Sequence, residues 1–160
     1  MIGLNRLGNA ALIAVTLAGG APAPTTLILW PGYTIELPAN HCVSLSRGPD
    51  FDTLSFRDRS APKAPPLAGL YAGHNPEELK CAEPTSREWD ANGLHFRSVR
   101  GSGGCAEFQI EDSKQAERGF LHVWFGPGAK DHPQLAEGLV ASVKPAKLPV
   151  YRSDDLPFCK

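Results

Sequence analysis

Apolar and polar residues alternate along most of this chain with the period of two that marks half-buried β-strands. Tyr33-Thr34-Ile35-Glu36-Leu37 sets the two kinds against each other residue by residue. His41 to Ser46 repeats the pattern, with Val43 and Leu45 on one face. Leu94 to Arg100 sets Leu94, Phe96 and Ser98 against His95, Arg97 and Val99, and Ala106 to Glu111 turns Phe108 and Ile110 the same way. Thr25 to Trp30 and Phe51 to Phe56 read as further strands. Leu67 to Ala72 and Phe120 to Phe125 are apolar on both faces, as strands buried on two sides are. Turn residues punctuate these runs at Pro31-Gly32, Arg47-Gly48-Pro49-Asp50, Asn92-Gly93 and Gly101-Ser102-Gly103-Gly104. Arg57 to Pro66 is charged and proline-rich, which predicts an exposed loop. Ala82 to Asn92 carries no period and reads as irregular.

The period changes after His132-Pro133. Leu135, Ala136, Leu139, Val140 and Val143 fall on one stripe of a helix. Lys144 complements its negative C-terminal end and Pro145 stops it. A shorter helix of one or two turns is predicted from Asn75-Pro76-Glu77-Glu78 to near Cys81, with Asn75 as cap and Pro76 in the first turn. The order of elements predicts an α+β fold: an antiparallel β-sheet covered by a C-terminal α-helix. One domain is expected over residues 21–160, with an irregular tail over 145–160.

Residues 1–20 do not belong to that pattern. Arg6, the apolar stretch from Ala10 to Ala18 and the small residues from Gly19 to Ala23 read as an export signal, cut between 20 and 23. The apolar run is too short to span a bilayer. The expected location is therefore periplasmic or secreted, with no stable membrane insertion after cleavage.

Composition narrows the function classes. The 160 residues carry 16 Lys+Arg against 17 Asp+Glu, a net charge of −1. That balance gives no concentrated basic surface for nucleic acid. The 16 Gly and 15 Pro exclude a helical bundle. Four cysteines in an exported chain read as two disulfides. Three connectivities are open, of which Cys81–Cys105 and Cys42–Cys159 are favoured. The first brackets a turn-rich segment, and the second would pin the tail to the sheet. No C-x-x-C spacing points to zinc, and no cofactor or metal is expected.

No catalytic motif is present: G-x-S-x-G, H-E-x-x-H and a P-loop are all missing. The candidate binding residues are Asp50, Asp52, Tyr71, His74, His122 and Trp124. A period of two would put Asp50 and Asp52 on one face, with Phe51 on the other, where paired carboxylates could bind calcium or share a proton. The commoner role of such residues is to cap a turn. His122 shares a strand face with Phe120 and Trp124. That face is either packed in the core or an aromatic stripe for a ligand. His74 lies at a strand end beside Tyr71, where binding residues collect.

The segments Gly48 to Asp52, Leu70 to Pro76 and His122 to Phe125, with Leu135-Ala136 and Ala141 to Pro145, resemble those of a family of small bacterial exported proteins. Their arrangement also resembles the Mog1/PsbP-like α/β fold over Tyr33 to Pro145. The resemblance implies a fold and a binding role, and it transfers no catalytic residues. The function expected is that of a non-enzymatic binding protein with a protein partner in the periplasm. One form of it is an immunity or inhibitor protein acting on a toxin or cell-wall hydrolase, through the Arg57–Pro66 loop or the His74 region. The alternatives are a small secreted hydrolase or metal-dependent enzyme using Asp50, Asp52 and His74, and an accessory subunit of an envelope complex.

Overall fold

The computed structural model describes residues 23–29, 32–75, 78–129, 132, 134–146 and 156–160. The stretch read as an export signal, residues 1–20, lies outside them. Every alternating segment is a strand: β1 (Thr25–Leu29), β2 (Tyr33–Leu37), β3 (His41–Arg47), β4 (Phe51–Asp58), β5 (Ala68–Gly73), β6 (Thr85–Ala91), β7 (Leu94–Arg100), β8 (Ala106–Glu111) and β9 (Phe120–Phe125). The helix α1 (Gln134–Ser142) follows, then a two-residue strand β10 (Lys144–Pro145).

Two antiparallel sheets result. The larger runs β3-β4-β5-β9-β8-β7-β6, and the smaller β1-β2-β10. The rows of paired residues follow the polar pattern. Leu54, Leu70, Val123 and Phe108 stand opposite one another across β4, β5, β9 and β8. All four are buried in the main core, with Phe56, Phe96, Ile110 and Leu121. Leu27, Leu29, Tyr33, Ile35 and Leu37 of the smaller sheet join the same core.

The helix brings its predicted stripe to that core: Leu135, Ala136, Leu139 and Val140 are buried, with Val143 just beyond. It touches β2 and β9. Glu137 reaches Arg100 of β7 at 2.7 Å, and Asn92 Nδ2 donates to the Val143 carbonyl at 3.1 Å. Leu135 N–H bonds the His132 carbonyl at 3.3 Å, the opening turn expected at His132. Buried Tyr33 donates its hydroxyl to Gly119 O at 2.9 Å, which ties the smaller sheet to the start of β9. Burial raises the Tyr33 pKa to about 12, so the phenol keeps the proton it donates.

Both favoured disulfides are present. Cys42–Cys159 joins Cα atoms 5.0 Å apart, and Cys81–Cys105 joins Cα atoms 5.8 Å apart. The tail is strapped along β3: Val43 N–H bonds Pro157 O, and Cys159 N–H bonds Val43 O. Two disulfides fit an oxidising compartment. No helix among the described residues is long and apolar enough to cross a membrane.

Two expectations fail. The described residues from Asn75 to Cys81 are not helical. Asn75 N–H is taken by the Tyr71 hydroxyl at 3.1 Å, Lys80 N–H by Glu107 Oε2 at 3.1 Å, and Cys81 by its disulfide. A helix opened at Asn75 would need the Lys80 N–H for its own ladder, and that donor is spent on Glu107. Residues 85–91, expected to be irregular, form β6. This edge strand is exposed along most of its length, so alternation is not visible in it. It pairs with β7 through the predicted Asn92-Gly93 turn, and Trp89 stacks on its cross-strand partner Phe96 at 5.2 Å.

Candidate functional site

The large sheet has a second face, opposite the core. Because side chains alternate, the residues between the core positions point there. Phe51 and Thr53 of β4, Tyr71 of β5, His122 and Trp124 of β9, and Glu107 of β8 line a cleft of about 590 Å³ on that face. Asp50, Asn75, Glu78 and Lys80 complete its wall. The volume lies within the range of about 300–1,000 Å³ usual for small-ligand sites.

Three glycines shape the floor. Gly69 pairs with Trp124 across β5 and β9, and a Cβ there would fall inside the indole. The ring therefore lies down on the β5 backbone, with its other face left to the cleft. A Cβ at Gly73 would strike the Tyr71 hydroxyl end, and one at Gly48 would strike the Phe51 ring. Phe51 and Tyr71 stack, centroids 5.5 Å apart and planes at 26°. A β-carbon at any of these positions would lift a ring from its seat.

The polar side is centred on Glu107. Its Oε2 lies 3.0 Å from His122 Nε2 and accepts the Lys80 backbone N–H. His122 and Glu107 sit on neighbouring strands, one step diagonal in register. Their side chains are only 10% and 16% exposed, so the pair is held in a half-dry setting where its bond is stronger than in water. His122 also meets Trp124 at 5.4 Å. The Cys81–Cys105 disulfide stands behind this group and fixes Lys80 beside β8. Cys81, Cys105 and Glu107 bring ligand-type atoms within 4.8 Å of one another, but both sulfurs are bonded to each other.

The sequence-level candidates separate. Asp50, Tyr71, His122 and Trp124 come together in the cleft. The face of Phe120, His122 and Trp124 is not the core face: Leu121 and Val123 between them fill that role. Asp52 goes to the other side of the sheet. Alternation in β4 starts at Phe51, so Asp52 follows Leu54 and Phe56, while Asp50 lies in the preceding turn and stays with Phe51. The expected shared face of Asp50 and Asp52 is therefore corrected, and the two carboxylates do not form one site. Asp52 is buried 3.7 Å from Arg47 Nε. Burial raises its pKa, and Arg47 partly opposes the rise. His74 is not among the described residues lining the cleft; it sits against Gly119.

Six lining residues were not singled out by the sequence: Phe51, Thr53, Asn75, Glu78, Lys80 and Glu107. For Glu107 a signal existed, since it alternates with buried Phe108 and lies two residues from Cys105. Strand order was needed to place it beside His122. Comparison with known proteins returns no match: no family model, no curated protein and no solved structure matches this chain.

Proposed function

We propose that this protein is an exported, periplasmic or secreted binding protein that takes a small ligand in the cleft between Tyr71 and Trp124. The observation that carries this reading is the set of aromatic rings seated over Gly48, Gly69 and Gly73 beside the Glu107–His122 pair. Rings and polar groups fixed before a ligand arrives need little ordering on binding. In this reading α1 covers the core face of the sheet, which leaves the cleft face open to solvent. The Arg47–Asp52 contact on the far side belongs to folding and not to binding.

The test is a titration of the isotope-labelled exported protein with a panel of sugars, amines, amino acids and short peptides, followed by NMR. Shifts clustered on Tyr71, Glu107, His122 and Trp124, and abolished in Trp124→Ala, are the expected result. Hits scattered over other surfaces would overturn the reading.

A second reading, an inhibitor or immunity protein, draws on the loop after β4. Asp58 Oδ1 accepts from Ser60 N–H and Oγ, Arg57 Nε donates to Ala64 O, and Arg59 N–H bonds Asn40 O. A braced, exposed loop of this kind can enter a target's cleft with little loss of entropy. It predicts a protein partner in native pull-downs that is lost on replacing residues 60–65 and kept in Trp124→Ala.

A further inference from the structure

Resting on the binding reading, we infer that the ligand of the cleft is a short uncharged saccharide, stacked on the indole of Trp124. Three features select this chemistry together. The first is a flat, fixed aromatic face. Gly69 lets the indole lie against β5, so one face of the ring is spent on the backbone and the other borders the cleft. The face of an aromatic ring is electron-rich. It suits the row of weakly positive C–H groups on one side of a sugar ring.

The second feature is the mixture of hydrogen-bonding groups around that face. Thr53 on β4 and Asn75, Glu78 and Lys80 on the wall are lining residues that carry hydroxyl, amide, carboxylate and ammonium groups. Sugar hydroxyls both donate and accept, so they can use all four. A purely apolar ligand would offer the Thr53 hydroxyl and the Asn75 amide no partner, and a polar group buried in that way costs about 1–3 kcal/mol.

The third is charge. Among the described residues the lining carries three carboxylates, Asp50, Glu78 and Glu107, against one ammonium, that of Lys80. That excess disfavours phosphates, acidic sugars and nucleotides. A quaternary ammonium would be attracted by the carboxylates, but it needs rings arranged around it as a cage. Here Phe51 and Tyr71 stack on one another at 26° instead of enclosing a space. The arrangement is a platform with a polar edge, which is the complement of a sugar.

The experiment is a calorimetric and NMR titration with a panel of neutral di- and trisaccharides, including chitotriose, cellotriose and maltotriose. Choline chloride, inorganic phosphate and indole are run beside them. At least one saccharide should bind and move the Trp124 indole N–H resonance. Trp124→Leu and Gly69→Ala should each weaken it tenfold or more, while Trp89→Phe, on the opposite face, should leave it unchanged. Native disulfides and an unchanged NMR spectrum outside the cleft check the fold of each variant. Choline or indole binding in the cleft with no saccharide bound would overturn the saccharide inference and leave the binding reading standing. No probe perturbing the cleft would overturn both. Saccharide binding unaffected by Trp124→Leu would also overturn the inference.

Discussion

His41 carries the one buried side-chain nitrogen, Nδ1, that has no hydrogen-bond partner among the described residues. Its backbone is well used, with N–H to Pro38 O and the carbonyl accepting from Arg59. The side chain faces Asp58 and His132, and burial lowers its pKa below the usual 6.5 despite the pull of Asp58. The sign of the consequence follows from proton counts. As pH falls through 6.5 the unfolded chain gains a proton at His41 that the folded chain refuses, so stability is lost on acidification. His95 acts in the opposite sense: its hydrogen bond to Asp90 raises its pKa, so its contribution is full below 6.5 and fades as pH rises. Comparison with a variant therefore isolates His41. His41→Leu removes the unpartnered nitrogen and should stabilise the protein by about 1 kcal/mol at pH 7.5. Its melting temperature should also fall less than that of the wild type between pH 7.5 and 5.5. Equal falls in the two proteins would refute the assignment.

Among the elements, the β6–β7 hairpin gives the cleanest test. Asn92 and Gly93 both have positive φ, at 53° and 77°, as a two-residue hairpin turn of the favoured twist requires. A Cβ at Gly93 would meet nothing within 4 Å, so Gly93→Ala probes the backbone alone. It should lower stability by about 1–2 kcal/mol, seen as a lower urea midpoint with unchanged slope. This turn was legible because two residues specify it locally. Strand β6 was not, since an exposed edge strand needs no alternation and Thr85 to Ala91 is held by pairing with β7. The helix expected after Asn75 failed for a related reason. Its local signals were sound, but Glu107, 27 residues further on, took the Lys80 N–H. The cleft was half legible: the sequence singled out Tyr71, His122 and Trp124 but left open which face of their strands is the core, and their meeting depends on β5 lying beside β9. The sequence does not state that order.

Over the whole molecule, the two disulfides constrain different things and should fail differently. Cys42–Cys159 spans 117 residues and Cys81–Cys105 spans 24. In the chain-entropy account the longer loop contributes about 5 kcal/mol and the shorter about 3.5 kcal/mol. Cys42→Ala/Cys159→Ala should therefore lower the urea midpoint more. It should also loosen the end of the tail along β3, where Cys159 N–H bonds Val43 O, while buried Leu156 keeps the start of the described tail on the core. The cleft lies on strands and a segment that this bond does not hold, so ligand affinity should survive wherever the protein is folded. Cys81→Ala/Cys105→Ala should show the reverse balance. Its loss of stability should be smaller, yet it frees the segment that carries Glu78 and Lys80 and removes the anchor that keeps the Lys80 N–H on Glu107. Hydrogen exchange should accelerate at Lys80, and affinity for any ligand of the cleft should drop at least tenfold at a temperature where both variants are folded. Equal effects of the two disulfides on binding would mean that the cleft is rigid without its staple, and that global stability alone governs the site.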